Sequence, residues 1–202
     1  MIGVAHLKHY LTPEAQSRLL QRCRELIDGD VPGYVPTVRG GKRMHVRMLC
    51  LGRHWNGRTY SYQPTRADFD ELPVPPLPAD LVTLGQEAAA AAGMPLIPDI
   101  AILNYYDGEG KMGLHQDKDE SPASIAEGAP VVSISIGDTA RFLFGGLRRK
   151  DPVEAIFLES GDAFVFGGPS RLRYHGVSRI VANSAPPELE FHGRFNLTLR
   201  RY

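Results

Sequence analysis

The sequence predicts an α+β protein, mainly β, with N-terminal helices, a β-ribbon and a double-stranded β-helix (jelly-roll) core. From residue 99 onward, short segments rich in β-branched and aromatic residues follow one another, separated by Gly, Pro or acidic turns. Seven such segments are recognisable: "DIAILNYY", "VVSISI", "RFLFGG", "AIFLE", "DAFVFGG", "RLRYHGV" and "RFNLTLRRY". This density of strands is typical of two packed sheets. Before these segments, apolar residues recur at helical spacing.

Two helices are predicted in the N-terminal half. In "LTPEAQSRLLQRCRELIDGD", Thr12 can cap a helix and Pro13 suits its first turn. A second helix is predicted over "PADLVTLGQEAAAAAGM", with Pro78 near its start and Gly93 at its end. The apolar residues of the first helix form one stripe that can face a core: Leu19, Leu20, Cys23, Leu26 and Ile27.

A segment of alternating polarity lies between the two helices. "MHVRMLCL" and "TYSYQ" predict two strands of a ribbon, joined by the loop "GRHWNGR". We therefore expect residues 1–95 to form a helical support and this ribbon, and residues 96–202 to form the jelly-roll core. A chain of 202 residues is long enough for one well-buried core, so the two parts are expected to make one compact unit.

The composition predicts a soluble, cytoplasmic monomer that does not bind a membrane. Two cysteines are too few for a disulfide framework, so both thiols are expected to be reduced. The sequence contains neither an apolar run of about 18 residues nor the pattern of a secretory signal peptide.

Charge is balanced over the whole chain but not locally. The 23 basic and 23 acidic side chains at first argue against a polyanionic partner. Between Asp30 and Asp68, however, there is no acidic residue. A local patch of this kind is what a nucleic acid would contact. The basic residues in this interval are Arg39, Lys42, Arg43, Arg47, Arg53, Arg58 and Arg66.

The stretch "LHQDKDE" can be either a solvated turn or half of a metal site. His115 and Asp117 are two residues apart, so on a strand or at its end their side chains lie on the same side. His175 in "RLRYHGV", at the end of another predicted strand, is the best candidate for a third ligand. Two histidines and one carboxylate suit a non-haem Fe(II) oxygenase, but they suit catalytic zinc as well.

The C-terminal strand "RFNLTLR" adds an anion site to this interpretation. Arg194, Asn196, Thr198 and Arg200 share one face, because side chains alternate along a strand. Two arginines that point into a sandwich are costly unless an anion lies there. A dicarboxylic acid with one arginine at each end would offset that cost, since guanidinium matches carboxylate geometry. The alternative is an edge strand with one wet face.

Four motifs together resemble the AlkB-type dioxygenases: "LNYYDGEGKMGLHQDKDE", "FGGLRRKDP", "SRLRYHG" and "RFNLTLR", in the order in which that family has them. The segment "MHVRMLCLGRHWNGRTYSY" is similar to the nucleotide-recognition lid of the family. The resemblance implies an oxygenase of the bacterial AlkB-like kind that uses Fe(II), with 2-oxoglutarate and O2 as cosubstrates. The anion site on "RFNLTLR" separates iron from zinc, which the spacing alone does not.

The resemblance implies a role for individual residues. His115, Asp117 and His175 would ligate iron. Arg200 and Asn104 would hold the carboxylate and keto end of 2-oxoglutarate, while its far carboxylate would contact Tyr106, Arg194 and Asn196. The substrate contacts would be Trp55, Tyr60, Tyr62, Asp119 and Arg149. Two of these have a structural alternative: Trp55 as a core residue and Asp119 as a turn acid.

The implied reaction is oxidative dealkylation of N-alkylated bases in DNA, and in RNA as well, with release of formaldehyde, succinate and CO2. The expected partner is alkylated nucleic acid: single-stranded DNA first, because it avoids the cost of unpairing a base, then double-stranded DNA or RNA. One alternative is the same oxygenase chemistry on RNA or a protein side chain. Another is a non-catalytic nucleic-acid-binding jelly roll with a structural metal. "SPASIAEGA" (121–129) is longer than the corresponding segment of the bacterial relative, which bears on the rim of the site.

Overall fold

The strands form two antiparallel sheets and a separate two-stranded ribbon, in a computed structural model that describes residues 2–202. The strands are Val4–Leu7 (β1), Arg47–Leu51 (β2), His54–Asn56 (β3), Ser61–Gln63 (β4), Ile100–Tyr106 (β5), Met112–His115 (β6), Val131–Gly137 (β7), Thr139–Phe144 (β8), Glu154–Leu158 (β9), Ala163–Phe166 (β10), His175–Val181 (β11) and Arg194–Arg200 (β12). The larger sheet has the order β1-β10-β7-β12-β5-β2, the smaller one β6-β11-β8-β9, and β3 pairs with β4. This is the predicted jelly roll.

The helices are Pro13–Ile27 (α1), Ala79–Ala91 (α2) and Pro122–Ala126 (α3). As predicted, Thr12 caps α1, where its side chain accepts a hydrogen bond from the backbone N–H of Ala15, and Pro13 opens the helix. Pro78 precedes α2, and Gly93 follows it with a φ of +69°. None of the described helices is both long enough and apolar enough to span a membrane.

Two apolar cores lie on opposite faces of the larger sheet. On one face α1 and α2 pack against residues such as Leu103, Ile134 and Leu197. On the other face an aromatic cluster that includes Phe144 and Phe164 fills the space between the two sheets. The larger sheet therefore separates a helical support from the interior of the jelly roll.

Strand β12 shows how this arrangement follows from alternation. Its apolar residues Phe195, Leu197 and Leu199 belong to the core on the helical side. Its polar residues alternate with them and therefore lie on the face toward the smaller sheet. The strand is central in its sheet, between β7 and β5, so the predicted alternative of an edge strand with one wet face is wrong.

Three boundaries differ from the prediction. "MHVRMLCL" does not belong to the ribbon: β2 pairs with β5 in the larger sheet, because its Met-Leu-Cys-Leu run is buried on both faces. The second ribbon strand is instead β3, which lies inside the predicted loop. His175 begins β11 rather than ending it. Two further strands were not predicted: β1, which pairs with β10 and forms one edge of the larger sheet, and β6, which pairs with β11 in the smaller one.

Candidate active site

Three potential metal ligands converge between the two sheets. His115 ends β6, His175 begins β11, and the two residues are directly opposite each other in the β6–β11 pair. Asp117 follows two residues after β6 and lies beside both histidines: its carboxylate oxygens are 3.6 Å from Nε2 of His115 and 3.5 Å from Nε2 of His175. One ligand atom from each residue lies within 4.8 Å of the other two. The structure thus brings the predicted triad together.

Both histidines present the same nitrogen to this point. Nδ1 of His115 lies 2.9 Å from the carbonyl oxygen of Gly113, and Nδ1 of His175 lies 2.9 Å from that of Arg173. These contacts assign the proton to Nδ1, which leaves the Nε2 lone pair free for a metal ion. Two neutral imidazoles and one carboxylate on one side of an ion are the donor set of a non-haem Fe(II) site, with positions left for other ligands.

The electrostatics of the triad favour deprotonated ligands. Burial and the neighbouring His175 lower the pKa of His115 to about 4. Burial by itself would raise the pKa of Asp117, but Arg200 and the two histidines hold it well below its usual range. A metal site requires neutral histidine and ionised carboxylate, so the residues present fit Fe(II) without first having to lose protons near neutral pH.

The predicted 2-oxoglutarate residues lie on two neighbouring strands, β5 and β12. In the pairing of these strands, Arg194 is opposite Tyr106 and Asn196 is opposite Asn104. A cavity of about 630 Å³ is lined by Asn104, Tyr106, Asn196 and Arg200, and also by all three potential metal ligands. Arg194 is buried deeper, with only 1% of its surface exposed, and it does not line the cavity.

Arg194 is a buried cation whose hydrogen bonds go only to neutral groups. Its Nη atoms donate to the carbonyl oxygens of Asp138 and Leu158 and to Oγ of Ser135, and its Nε has no hydrogen-bond partner among the described residues. Burial, which outweighs the influence of nearby acidic groups, lowers its pKa to about 10. Burying a guanidinium without a carboxylate partner at hydrogen-bond distance is costly. The distal carboxylate of a dicarboxylic acid would offset that cost.

Arg200 lies at the metal end of the cavity. Its Nη2 is 3.1 Å from the carboxylate of Asp117, and its Nη1 donates to the hydroxyl of Tyr62 at 2.6 Å and to Glu120 at 3.1 Å. Burial by itself would lower its pKa, but these neighbours raise it above the usual value. The two arginines of β12 therefore differ: Arg200 is paired with acids beside the metal ligands, whereas Arg194 is not.

The predicted substrate residues Trp55, Tyr60, Tyr62, Asp119 and Arg149 all line the same cavity. Trp55 is half-buried on β3, where its indole N–H donates to Asp119 at 2.8 Å, and the exposed ring of Tyr60 lies 6.0 Å from it. Burial, with help from the neighbouring acids, raises the pKa of Asp119. Trp55 is thus neither exposed nor a member of the main core, and its ring lies at the outer end of the cavity with Tyr60.

Tyr62 differs from the other ribbon aromatics in its burial and in the contacts of its side chain. It is buried, it packs edge-on against Tyr202, and its hydroxyl contacts Arg200 rather than open space. The structure also reveals Glu120 and Arg171 as part of the site, and sequence reasoning gave neither a role. Both lie inside two of the sequence motifs, "LHQDKDE" and "SRLRYHG", but a buried ion pair has no periodic signal in a sequence.

The acid-free stretch does not present all its basic residues to solvent. Arg66 is buried and paired with Asp70, and Arg47 is half-buried and donates to Asp28. These two residues make intramolecular contacts. They are therefore not part of the predicted nucleic-acid surface. The exposed basic residues of the stretch are Lys42, Arg43, Arg58 and Arg39, the last of which lies over the ring of Tyr60.

The 121–129 segment braces the site. Residues Pro122–Ala126 form α3, and Ser124 within it is 1% exposed and accepts a hydrogen bond from Nε of Arg201. The carbonyl oxygen of Ala129 accepts a hydrogen bond from Nε of Arg171 at 2.7 Å. Arg171 therefore connects this segment to Glu120, with which it also forms an ion pair.

Comparisons with known proteins agree with this geometry. The family model of the 2OG-Fe(II) oxygenase superfamily matches residues 3–200. The DNA N(6)-methyladenine demethylase ALKBH1C of Arabidopsis thaliana is 41% identical over 221 residues, which cover 99% of this chain and 48% of that protein. The alpha-ketoglutarate-dependent dioxygenase AlkB of Salmonella typhimurium is 42% identical over 165 residues, which cover 80% of this chain and 74% of that protein.

Among solved structures, that of OsALKBH1 superimposes with a TM-score of 0.91 at 39% identity, covering 99% of this chain and 97% of that one. The chain spans about half the length of the Arabidopsis ALKBH1 relatives that it matches. The family model matches nearly the whole chain, and the match to the bacterial AlkB relative covers almost three quarters of that protein. The chain therefore belongs to the 2OG-Fe(II) oxygenase superfamily, among the AlkB-type dioxygenases, which use Fe(II), 2-oxoglutarate and O2.

Proposed function

We propose that the protein is an Fe(II)- and 2-oxoglutarate-dependent dioxygenase that oxidatively dealkylates N-alkylated bases in DNA. The observation that carries the proposal is a single cavity. It is lined by His115, Asp117 and His175, by polar residues of β5 and β12, and by Trp55 and Tyr60. Metal ligands, a cosubstrate wall and a stacking surface therefore share one space.

Different residues of this cavity would bind the metal ion and the cosubstrate. His115, Asp117 and His175 would hold Fe(II), which together with 2-oxoglutarate and O2 supplies the oxidation that hydroxylates an N-linked alkyl carbon while 2-oxoglutarate becomes succinate and CO2. Arg200 would bind the carboxylate next to the keto group, and Arg194 the distal one. The hydroxylated alkyl group then leaves as an aldehyde, formaldehyde for a methyl group, and its nitrogen recovers a hydrogen.

A base extruded from its strand would stack on Trp55 within reach of His115. Asp119 would accept a hydrogen bond from an exocyclic amine or pair with a cationic alkylated base. Arg149, anchored by a 2.8 Å hydrogen bond to the carbonyl oxygen of Leu114, would contact the substrate at the rim. The names of the Arabidopsis relatives make N(6)-methyladenine a natural first substrate to test.

The finer parts of the proposal follow from the same chemistry. Single-stranded DNA would be preferred over duplex because no base pair has to be broken. RNA is a further substrate class, since Trp55 can stack on any base. We propose that the protein acts in the cytoplasm as a monomer.

The test is a panel of single- and double-stranded oligonucleotides that carry one methylated base each, incubated with the protein, Fe(II) and 2-oxoglutarate. Succinate and formaldehyde released in equal amounts, together with restored unmodified base by mass spectrometry, is the expected result. Release of succinate with no change in any oligonucleotide would point to a protein side chain as the substrate. No succinate at all, with tight retention of zinc, would favour a binding module with a structural metal.

A further inference from the structure

A buried ionic cluster lies beside the candidate metal ligands, and two of its members, Glu120 and Arg200, line the cavity. The carboxylate of Glu120, of whose side chain only 1% is exposed, lies between two guanidinium groups: Oε2 is 3.0 Å from Arg171 and Oε1 is 3.1 Å from Arg200. Arg171 also donates to the backbone carbonyl oxygen of Asp117, one of the candidate metal ligands. A buried carboxylate is costly unless it is paired, and Glu120 is paired on both sides.

A ribbon residue completes the contacts of Arg200. Tyr62 lies on β4, directly opposite Trp55 in the ribbon, and its hydroxyl accepts a 2.6 Å hydrogen bond from Nη1 of Arg200. Glu120 accepts from the same Nη1. One nitrogen of the guanidinium is therefore held by two partners that come from different parts of the chain.

The opposite edge of this guanidinium is only partly occupied. The Nε–H and one Nη2–H of an arginine lie side by side and form the fork that binds a carboxylate through two hydrogen bonds. Nε of Arg200 is buried and has no hydrogen-bond partner among residues 2–202, and Nη2 reaches Asp117 at the metal end of the cavity. Because Glu120 and Tyr62 hold Nη1, the Nε–H is left without a partner beside the residues that would hold the metal.

We propose that Glu120 and Tyr62 are positioning residues that act through Arg200: they fix its Nη1 so that the Nε and Nη2 edge meets the metal-side carboxylate of the cosubstrate. The identity of that cosubstrate rests on the proposed function. The hydroxyl of Tyr62 thereby supports the cosubstrate site rather than contacting a base.

The experiment measures 2-oxoglutarate binding to the Mn(II)-loaded full chain without turnover, by isothermal titration calorimetry. Tyr62→Phe removes only the hydroxyl, and Glu120→Gln removes only the charge. Each is expected to weaken 2-oxoglutarate binding on the order of tenfold, as losing an orienting partner of a metal-site group does. Oxalate, which has the chelating end without the distal carboxylate, should lose affinity in both variants as well.

Matched controls come from the same region. Tyr34 is as buried as Tyr62, at 7% exposed, but its hydroxyl contacts His54 and Asp68. Asp70 pairs with buried Arg66, away from the cavity. Tyr34→Phe and Asp70→Asn should lower the melting temperature as much as the test variants do, yet leave 2-oxoglutarate affinity unchanged.

The outcomes separate this inference from the proposed function. If wild type binds Mn(II) but no 2-oxoglutarate, the proposed function fails. If wild type binds 2-oxoglutarate and Tyr62→Phe binds it equally well, the positioning role is wrong. Should Glu120→Gln not fold, Tyr62→Phe decides alone. A loss confined to Mn(II) affinity, with 2-oxoglutarate affinity of the loaded protein unchanged, also overturns the proposal.

Discussion

The inner and outer halves of the cavity are built in different ways. At the inner end the metal and cosubstrate residues lie on or beside strands of the two sheets, and most of them are buried. At the outer end the ribbon β3–β4 pairs with neither sheet, and Tyr60 at its turn is 42% exposed. Strand register positions the residues at the inner end. The residues at the outer end depend on a short ribbon that side-chain contacts hold in place.

The side chains of Trp55 and Tyr62 provide these contacts. Trp55 donates to Asp119, and the hydroxyl of Tyr62 accepts from Arg200 and donates to Glu120, so each ribbon strand is linked to residues near the metal ligands. Side chains at the inner end should therefore govern metal and cosubstrate binding, and exposed ribbon residues should govern nucleic-acid binding. The predictions below test this separation, from the largest expected effect to the smallest.

The largest effect is expected from the candidate metal ligands. His115→Ala, Asp117→Ala or His175→Ala should each abolish Fe(II)-dependent succinate release while the protein stays folded, because each removes a ligand. Circular dichroism checks the fold, and the exposed His192 supplies a control as His192→Ala, which should retain full activity. Near-normal 2-oxoglutarate decarboxylation in any of the three variants would show that the residue is not a ligand.

The next effect concerns the two arginines of β12. Arg194→Ala and Arg200→Ala should each weaken 2-oxoglutarate binding by on the order of tenfold to a hundredfold, since a hydrogen bond to a charged group contributes about 1.5–3 kcal/mol. Lysine at either position should restore only part, because it lacks the planar fork. The exposed Arg179 of β11 is the matched control. Unchanged affinity in both alanine variants would leave the strand with a purely structural role.

The same division explains how far sequence reasoning reached. Alternation on β12 was enough to predict that Arg194, Asn196 and Arg200 face the interior, because a strand has only two faces. The register that places His175 opposite His115 depends on contacts between segments 60 residues apart in the chain, and no local pattern encodes it. His-x-D spacing predicted two of the three ligands, His175 was the best candidate for the third, and the family motifs favoured iron for the set.

The ribbon was predicted less well for a physical reason. A short strand in a polar Gly-containing segment resembles a loop, so β3 was assigned to the connection and β2 to the ribbon. Arg47 and Arg66 resembled their exposed neighbours in the sequence, since charge alone does not reveal a buried partner. Glu120 was missed for the same reason: within "HQDKDE" nothing distinguishes a buried acid from a solvated one.

A smaller effect is expected at Trp55. Trp55→Ala should remove one stacking contact and cost about 1–3 kcal/mol of oligonucleotide binding, with a larger loss for a methylated base than for an undamaged strand. Trp55→Phe keeps an aromatic ring but loses the indole N–H that reaches Asp119, so it should recover part of the affinity. Fluorescence anisotropy measures both variants. An unfolded Trp55→Ala protein would instead identify the tryptophan as a core residue.

The smallest effect per residue is expected from the exposed charges of the ribbon region, and it is the sharpest test of whether the two halves are separate. Neutralising Lys42, Arg43 and Arg58 to Gln should weaken binding of methylated and unmodified strands alike, because phosphate contacts carry no base information. Each lost contact should reduce the slope of log affinity against log salt by about 0.7 on single strands. The triple variant should still decarboxylate 2-oxoglutarate without nucleic acid at the wild-type rate, since none of the three contacts a metal ligand.

The exposed Arg18 of α1, which does not line the cavity, serves as control, and Arg18→Gln should change neither quantity. A salt slope identical to wild type would mean that this surface does not contact phosphate, whereas a loss of basal decarboxylation would mean that the ribbon and the metal end act as one unit.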